Sequence, residues 1–121
     1  MTGVLFDSAI LVDALVGLDN ARTEIVKHSD RWLTRLGWTE VLAGAKGDAE
    51  RVEAYLGHFK VVEIGEDIAR RGASLRQLSP QMALGDALGL AAAQVTGRIY
   101  ITRNTAAFPK AMPGVRIPYT L

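Results

Sequence analysis

Val4-Leu5-Phe6-Asp7-Ser8-Ala9-Ile10-Leu11 sets the terms on which the rest of the chain is read. Val4, Leu5 and Phe6 form a short apolar run that suits a buried strand. An acid follows at once, and Ile10 to Leu18 then takes up helical spacing. A strand that ends in an acid and passes directly into a helix is the opening of a βα unit. In open sheets built from such units, ligands bind outside the carboxyl ends of the strands. Asp7 stands at that edge.

The alternation continues outward from this stretch. Asn20 is a candidate cap for a second short helix through Lys27. Trp32 to Leu36 suits a strand, Thr39 to Ala43 opens another helix, and Gly44 to Gly47 makes a turn. Asp48 is placed to cap a helix whose Val52, Tyr55, Leu56 and Phe59 follow the i, i+3, i+4, i+7 rule. Val61, Val62 and Ile64 suit a strand, and Glu66 to Leu78 a helix with Ile68, Ala69, Gly72 and Leu75 on one side. Ser79-Pro80 reads as the cap and first-turn proline of a further helix to about Thr96. Its Leu84, Leu88, Ala91, Ala92 and Val95 are expected to face the core, with Gly97 as the stop. Ile99-Tyr100-Ile101 and Val115 to Ile117 supply the remaining strands. The pattern predicts an α/β domain with a mainly parallel sheet of four or five strands, covered by helices on both faces. No linker or repeat divides it, so residues 1–121 are expected to form one domain.

Composition narrows the chemistry. With 121 residues, 49% of them hydrophobic, the chain can bury one sizeable core. The absence of cysteine excludes a disulfide scaffold, thiolate zinc sites and cysteine nucleophiles, and fits a cytoplasmic setting. The first 18 residues have no basic leader and include Asp7 and Asp13, so neither a signal peptide nor a membrane span is expected. The net charge of +1 conceals an asymmetry: −2 from Met1 to Lys60 and +3 from Val61 to Leu121. After Asp67, Arg70, Arg71, Arg76, Arg98, Arg103, Lys110 and Arg116 face a single acid, Asp86. Arginine's fixed fork of donors suits phosphate, although solvated helix faces explain such residues equally well one at a time.

Three acids merit attention. Asp7 follows the first strand, Glu40 lies early in the helix after the Trp32–Leu36 strand, and Asp86 sits in the apolar run 82–88. Each has a plain structural alternative: Asp7 as a helix cap, Glu40 and Asp86 as partners of a helix's positive end. Clustered in space, however, carboxylates repel and call for a cation. Oxygen donors without His or Cys point to Mg²⁺ or Mn²⁺ rather than zinc. Spacing alone does not show that these acids meet.

Four segments in order carry a family resemblance: Val4 to Leu11, Thr39 to Gly44, Gly85-Asp86-Ala87-Leu88 and Ile101 to Phe108. Together they resemble PIN-domain ribonucleases, and most closely in style the VapC-like toxins of type II toxin–antitoxin pairs. The resemblance spans Val4 to Ile117. It implies a PIN-like three-layer α/β/α fold and a metal-dependent endoribonuclease hydrolysing RNA phosphodiester bonds. It further implies a cognate antitoxin protein, a homodimer, and inhibition by a peptide that inserts Arg or Lys into the acidic pocket. Carried over by residue, Asp7, Glu40 and Asp86 are the catalytic metal ligands. Asn104 takes the place of a fourth acid, and Thr102 the hydroxyl position of the same signature. Asn104 can offer a carbonyl oxygen to metal or water but no charge. Ala9 and Ala107 stand where relatives often carry a small polar residue and an Asp. The site is therefore expected to hold three formal negative charges, favouring one metal or a metal brought with the substrate.

Other features read more plainly. Arg103, beside Asn104, ranks first among candidates for phosphate contact, with Thr102 next to it as a substrate-binding position. Asp13 is expected to face solvent or to pair with an arginine. His28 and His58 lie near no motif, and Trp32 and Trp38 suit a core or a subunit interface. Gly85 and Gly89 weaken their helix and suggest a close backbone approach. A signalling receiver domain fits the length but not the residues: Asp7 is followed by Ser8, and Lys110 does not end an apolar strand. A catalytically silent PIN module that binds RNA or protein is the other alternative.

Overall fold

The computed structural model describes residues 3–109 and 111–121. Met1, Thr2 and Lys110, the last counted above among the basic residues, lie outside them. The described residues form five strands and six helices. In order they are β1 Val4–Phe6, α1 Ser8–Leu15, α2 Asp19–Lys27, β2 Arg31–Thr34, α3 Arg35–Ala43 and α4 Ala49–Leu56. There follow β3 Lys60–Val62, α5 Glu66–Leu78, α6 Leu84–Thr96, β4 Ile99–Ile101 and β5 Val115–Arg116. The strands lie in the order β3-β2-β1-β4-β5, and every neighbouring pair is parallel.

The three layers follow from the two-residue period of a strand. Val4 and Phe6 point into a core with Ile10, Leu11, Ile25, Val41 and Val52, from α1 to α4. Leu5 points the other way, into a core with Ile68, Ala87, Leu90 and Ala91 from α5 and α6. Both faces are covered, as a parallel sheet requires. β1 is central, and the chain first moves out through β2 and β3, then returns to the other side of β1 with β4. The gap between the carboxyl ends of β1 and β4 is thus a topological switch point, the place where such sheets bind ligands. Phe6 pairs with Ile101 there, and the Asp7 N–H donates to the Ile101 carbonyl at 2.8 Å.

Several local expectations shift. β2 stops at Thr34 because its hydroxyl accepts the Gly37 N–H at 2.9 Å and caps α3. The helix therefore begins at Arg35, and Glu40 falls in its second turn. Asn20 lies inside α2, which starts at Asp19. Asp48 precedes α4 without capping it, since its carboxylate accepts from Arg51 Nε at 2.6 Å. Ser79-Pro80 ends α5 and opens a turn, closed by the Met82 N–H on the Ser79 carbonyl at 2.9 Å; α6 starts only at Leu84.

The buried face of α6 is centred differently from the expected one. Leu84 and Val95 are 52% and 46% exposed, while Ala87, Leu90, Ala91, Ala92 and Ala93 are buried. The alanines let α6 lie close between the sheet and α5. Gly72 serves the same approach, because a Cβ there would meet Leu88 Cδ2 at 2.8 Å. Ala69, expected beside Gly72 in the core, faces out. Gly97 stops α6 in the left-handed conformation at φ 70°. Among the described residues, no helix is long and apolar enough to cross a membrane.

Candidate functional site at the carboxyl edge of the sheet

Asp7 occupies the N-cap position of α1 but makes no side-chain cap bond. Its carboxylate instead accepts a hydrogen bond from Thr102, just past β4, at 2.9 Å. The helix-cap alternative therefore does not describe it. Thr102 is fully buried, and its hydroxyl also accepts the Asn104 N–H at 3.2 Å. It positions Asp7 from beneath, which leaves it no surface on which to touch a substrate.

Glu40 reaches the same edge from α3. The Ser8 hydroxyl donates to Glu40 Oε1 at 3.1 Å, tying α3 to the first turn of α1. Its other oxygen lies 3.8 Å from where a Cβ on Gly85 would sit, so α3 and the start of α6 meet over that glycine. Asp86 lies in the first turn of α6, where the helix's positive end also favours it. Asn104 Nδ2 donates to Asp86 Oδ2 at 3.1 Å, and Asn104 Oδ1 accepts the Ala107 N–H at 3.3 Å. The Asn104 amide thus turns its nitrogen, not the expected carbonyl oxygen, toward the acids. The reverse orientation would set two acceptors against each other.

Two of the acids act on the third. Asp86 is pushed above the ordinary carboxylate range first by burial, then by the charge of Asp7 and, more weakly, of Glu40; only Asn104 opposes this. Beneath them Tyr100, wholly buried in β4, is pushed well above the usual phenol range by burial and then by Asp7, Asp86 and Glu40. The phenol is a donor at neutral pH. Among the described residues, no three acidic or histidine side chains stand close enough to form a ready-made ion shell. The donors suit a hard divalent ion by type: three carboxylates, with no thiol or imidazole near.

Arg103 is bonded to a different acid. Its guanidinium donates to both oxygens of Asp13, at 2.6 and 3.2 Å, and the Tyr119 hydroxyl adds a third bond at 2.7 Å. Asp13 is buried rather than facing solvent, and it has the arginine partner that was the other expectation. Those bonds hold the Asp13 carboxyl below its usual range against the opposing effect of burial, the largest single influence. Arg116 makes a similar fork to buried Glu24, at 2.7 and 2.9 Å. The basic second half and the acidic first half therefore meet inside the fold. Arg70 pairs with Glu66 one turn away on α5, Arg71 reaches Gln94 on α6, and Arg98 stacks on Trp32 at 3.8 Å. Part of the charge asymmetry is thus internal pairing, at Arg103 and Arg116.

Sequence reasoning passed over Ser8 and Tyr100. Ser8 follows Asp7 directly, and Tyr100 is a polar tip in an otherwise apolar strand, so both left a faint signal.

The family model of the PIN domain matches residues 4–111, and the chain belongs to that family. It also resembles a chain of a toxin–antitoxin complex, in keeping with the resemblance that its residues carry. A chain of a toxin–antitoxin complex from Klebsiella pneumoniae is 36% identical, with a TM-score of 0.91 over 98% of this chain and 99% of that one. FitAcB from Neisseria gonorrhoeae superposes at a TM-score of 0.80 and 20% identity, over 98% and 99% of the two chains. DNA-bound VapBC from Salmonella typhimurium gives 0.76 at 19%, covering 97% of each. These last two speak for the fold alone. No significant match was found among curated proteins.

Proposed function

We propose that this chain is a Mg²⁺- or Mn²⁺-dependent endoribonuclease of the cytoplasm and the toxin of a toxin–antitoxin pair. The observation that supports this reading is the convergence of Asp7, Glu40 and Asp86, from three separate elements, on the β1/β4 switch point, where the charges of Asp7 and Glu40 help to raise the Asp86 carboxyl. Asp7, Glu40 and Asp86 would hold the ion. Bound there, a divalent ion supplies water activation and charge stabilisation for phosphodiester hydrolysis. Thr102 orients Asp7, Ser8 orients Glu40, and Asn104 holds Asp86. Arg103 contributes indirectly, by anchoring the 102–104 segment to Asp13, and phosphate contact would require it to leave that pair.

A partner protein is supported by a second feature. A groove of about 420 Å³ runs between α1, α2 and α4, floored by Leu15, Tyr55 and Phe59 and rimmed by Arg22, Arg31 and Arg51. No acid is among its lining residues. Charge complementarity favours an apolar antitoxin segment that carries acidic residues. The homodimer implied by the resemblance belongs to the same proposal.

Incubating the purified protein with total RNA and Mg²⁺ or Mn²⁺, beside Asp7→Ala and Asp86→Ala, tests the assignment. Discrete cleavage that EDTA and both substitutions abolish supports it. Equal, metal-independent cleavage by all three proteins would sink it.

A further inference from the structure

Tyr100 is 2% exposed, and its ring packs edge-on against Phe108 with centroids 5.5 Å apart. A buried phenol ordinarily finds a hydrogen-bond partner. The Tyr100 hydroxyl has none among the described residues. It is not sealed off either, because the one fully enclosed side-chain polar atom without a partner among them is Arg98 Nε. The hydroxyl opens onto a small cavity that it shares with Asp7, Ser8, Thr34 and Glu40.

Gly89 makes that placement possible. A Cβ there would come within 2.5 Å of the Tyr100 hydroxyl oxygen, closer than real atoms pack. Gly85, one turn earlier, borders the same cavity. Each glycine costs α6 about 1 kcal/mol relative to alanine, so the space they leave is maintained against helix propensity. That space admits about one water molecule. A phenol beside carboxylates can only donate in their direction, since carboxylates only accept. At this site a single water completes the pattern, taking one bond and giving two.

We propose that the cavity holds one ordered water, which accepts from Tyr100 and donates to Asp7 and Glu40, making Tyr100 a positioning residue for the acid set. The water stands on geometry alone; the effect on metal binding rests on the nuclease reading. Crystals that resolve ordered solvent are expected to show a water within hydrogen-bond distance of the Tyr100 hydroxyl and of Asp7 or Glu40. A dry cavity overturns the proposal. In solution, Tyr100→Phe removes only the hydroxyl. Its melting temperature is expected to stay within a few degrees, while Mn²⁺ affinity measured by calorimetry falls about tenfold or more, as for other groups that orient metal ligands. Unchanged affinity overturns the positioning role. Gly89→Ala crowds the hydroxyl from the opposite side and is expected to weaken Mn²⁺ in the same direction, so the test survives if Tyr100→Phe folds poorly. Wild-type protein that binds no Mn²⁺ contradicts the nuclease reading instead, and the crystal then decides the water by itself.

Discussion

The hydroxyl of Thr102 donates to the carboxylate of Asp7 across 2.9 Å, joining the ends of β4 and β1 over 95 residues of sequence. The bond lies at the switch point itself and fixes one acid by a residue that cannot reach solvent. Thr102→Val keeps the shape and removes the donor. The net loss of stability should be about 1–2 kcal/mol, the scale of a hydrogen bond or two. RNA cleavage should fall about tenfold or more, because Asp7 loses the group that orients it. Initial rates at saturating Mn²⁺, set against urea midpoints, separate the two effects.

The buried Asp13 pair should matter far more to stability than the surface pairs. Asp13→Ala leaves the Arg103 guanidinium without a counter-charge and Tyr119 without its acceptor. Breaking a buried pair from one side costs about 3 kcal/mol. Arg70 and Glu66 are 77% and 73% exposed, so Arg70→Ala should change stability by no more than about 0.5 kcal/mol. Urea unfolding of both variants checks the contrast, and similar losses would contradict it.

Acid should release the Glu24 cluster. Arg116, and more weakly His28, hold Glu24 at about 2 against an ordinary 4.5. A folded-state value below the unfolded one means that the contribution is fully present above 4.5 and disappears as pH falls toward 2. The shift amounts to about 3 kcal/mol at most. Stability profiles between pH 7 and pH 2.5 should therefore be flatter for Glu24→Gln than for wild type. Asp13, also lowered, adds to the wild-type slope in the same sense.

Asp86 carries the opposite sign. Burial and the charges of Asp7 and Glu40 raise its pKa, so its ionised form costs stability at neutral pH, and the cost fades on acidification. Asp86→Asn should thus raise the metal-free melting temperature by a few degrees, roughly 1 kcal/mol, while abolishing cleavage. Adding Mn²⁺ should stabilise wild type and not the variant. Calorimetric melting with and without the ion reads both effects.

The sheet was legible in sequence because apolar triplets such as Val4-Leu5-Phe6 and Ile99-Tyr100-Ile101 have few other uses in a short α/β chain. Helix starts were less so. Asp48 and Ser79 look like caps, but arginine pairing and a turn claim them. The face of α6 that packs inward is centred on Ala87, Leu90 and Ala91, which leaves Leu84 and Val95 on the surface, and no local pattern foretells that. Asp7, Glu40 and Asp86 were nameable from residue order and resemblance; the effect of the first two on Asp86 required the fold. The partner of Arg103 was hidden for a related reason. Its neighbour Asn104 drew attention to phosphate, whereas its partner, Asp13, lies 90 residues away.

The most direct measurement is single-turnover cleavage of an end-labelled RNA by EDTA-treated protein as Mn²⁺ is titrated back. Wild type should regain cleavage at discrete positions with a saturable dependence on Mn²⁺. Asp7→Asn, Glu40→Gln and Asp86→Asn should each lower the saturated rate by about a hundredfold or more while remaining folded. Cleavage that needs no added ion, or that survives all three substitutions, would contradict the assignment of these acids to one metal-dependent site.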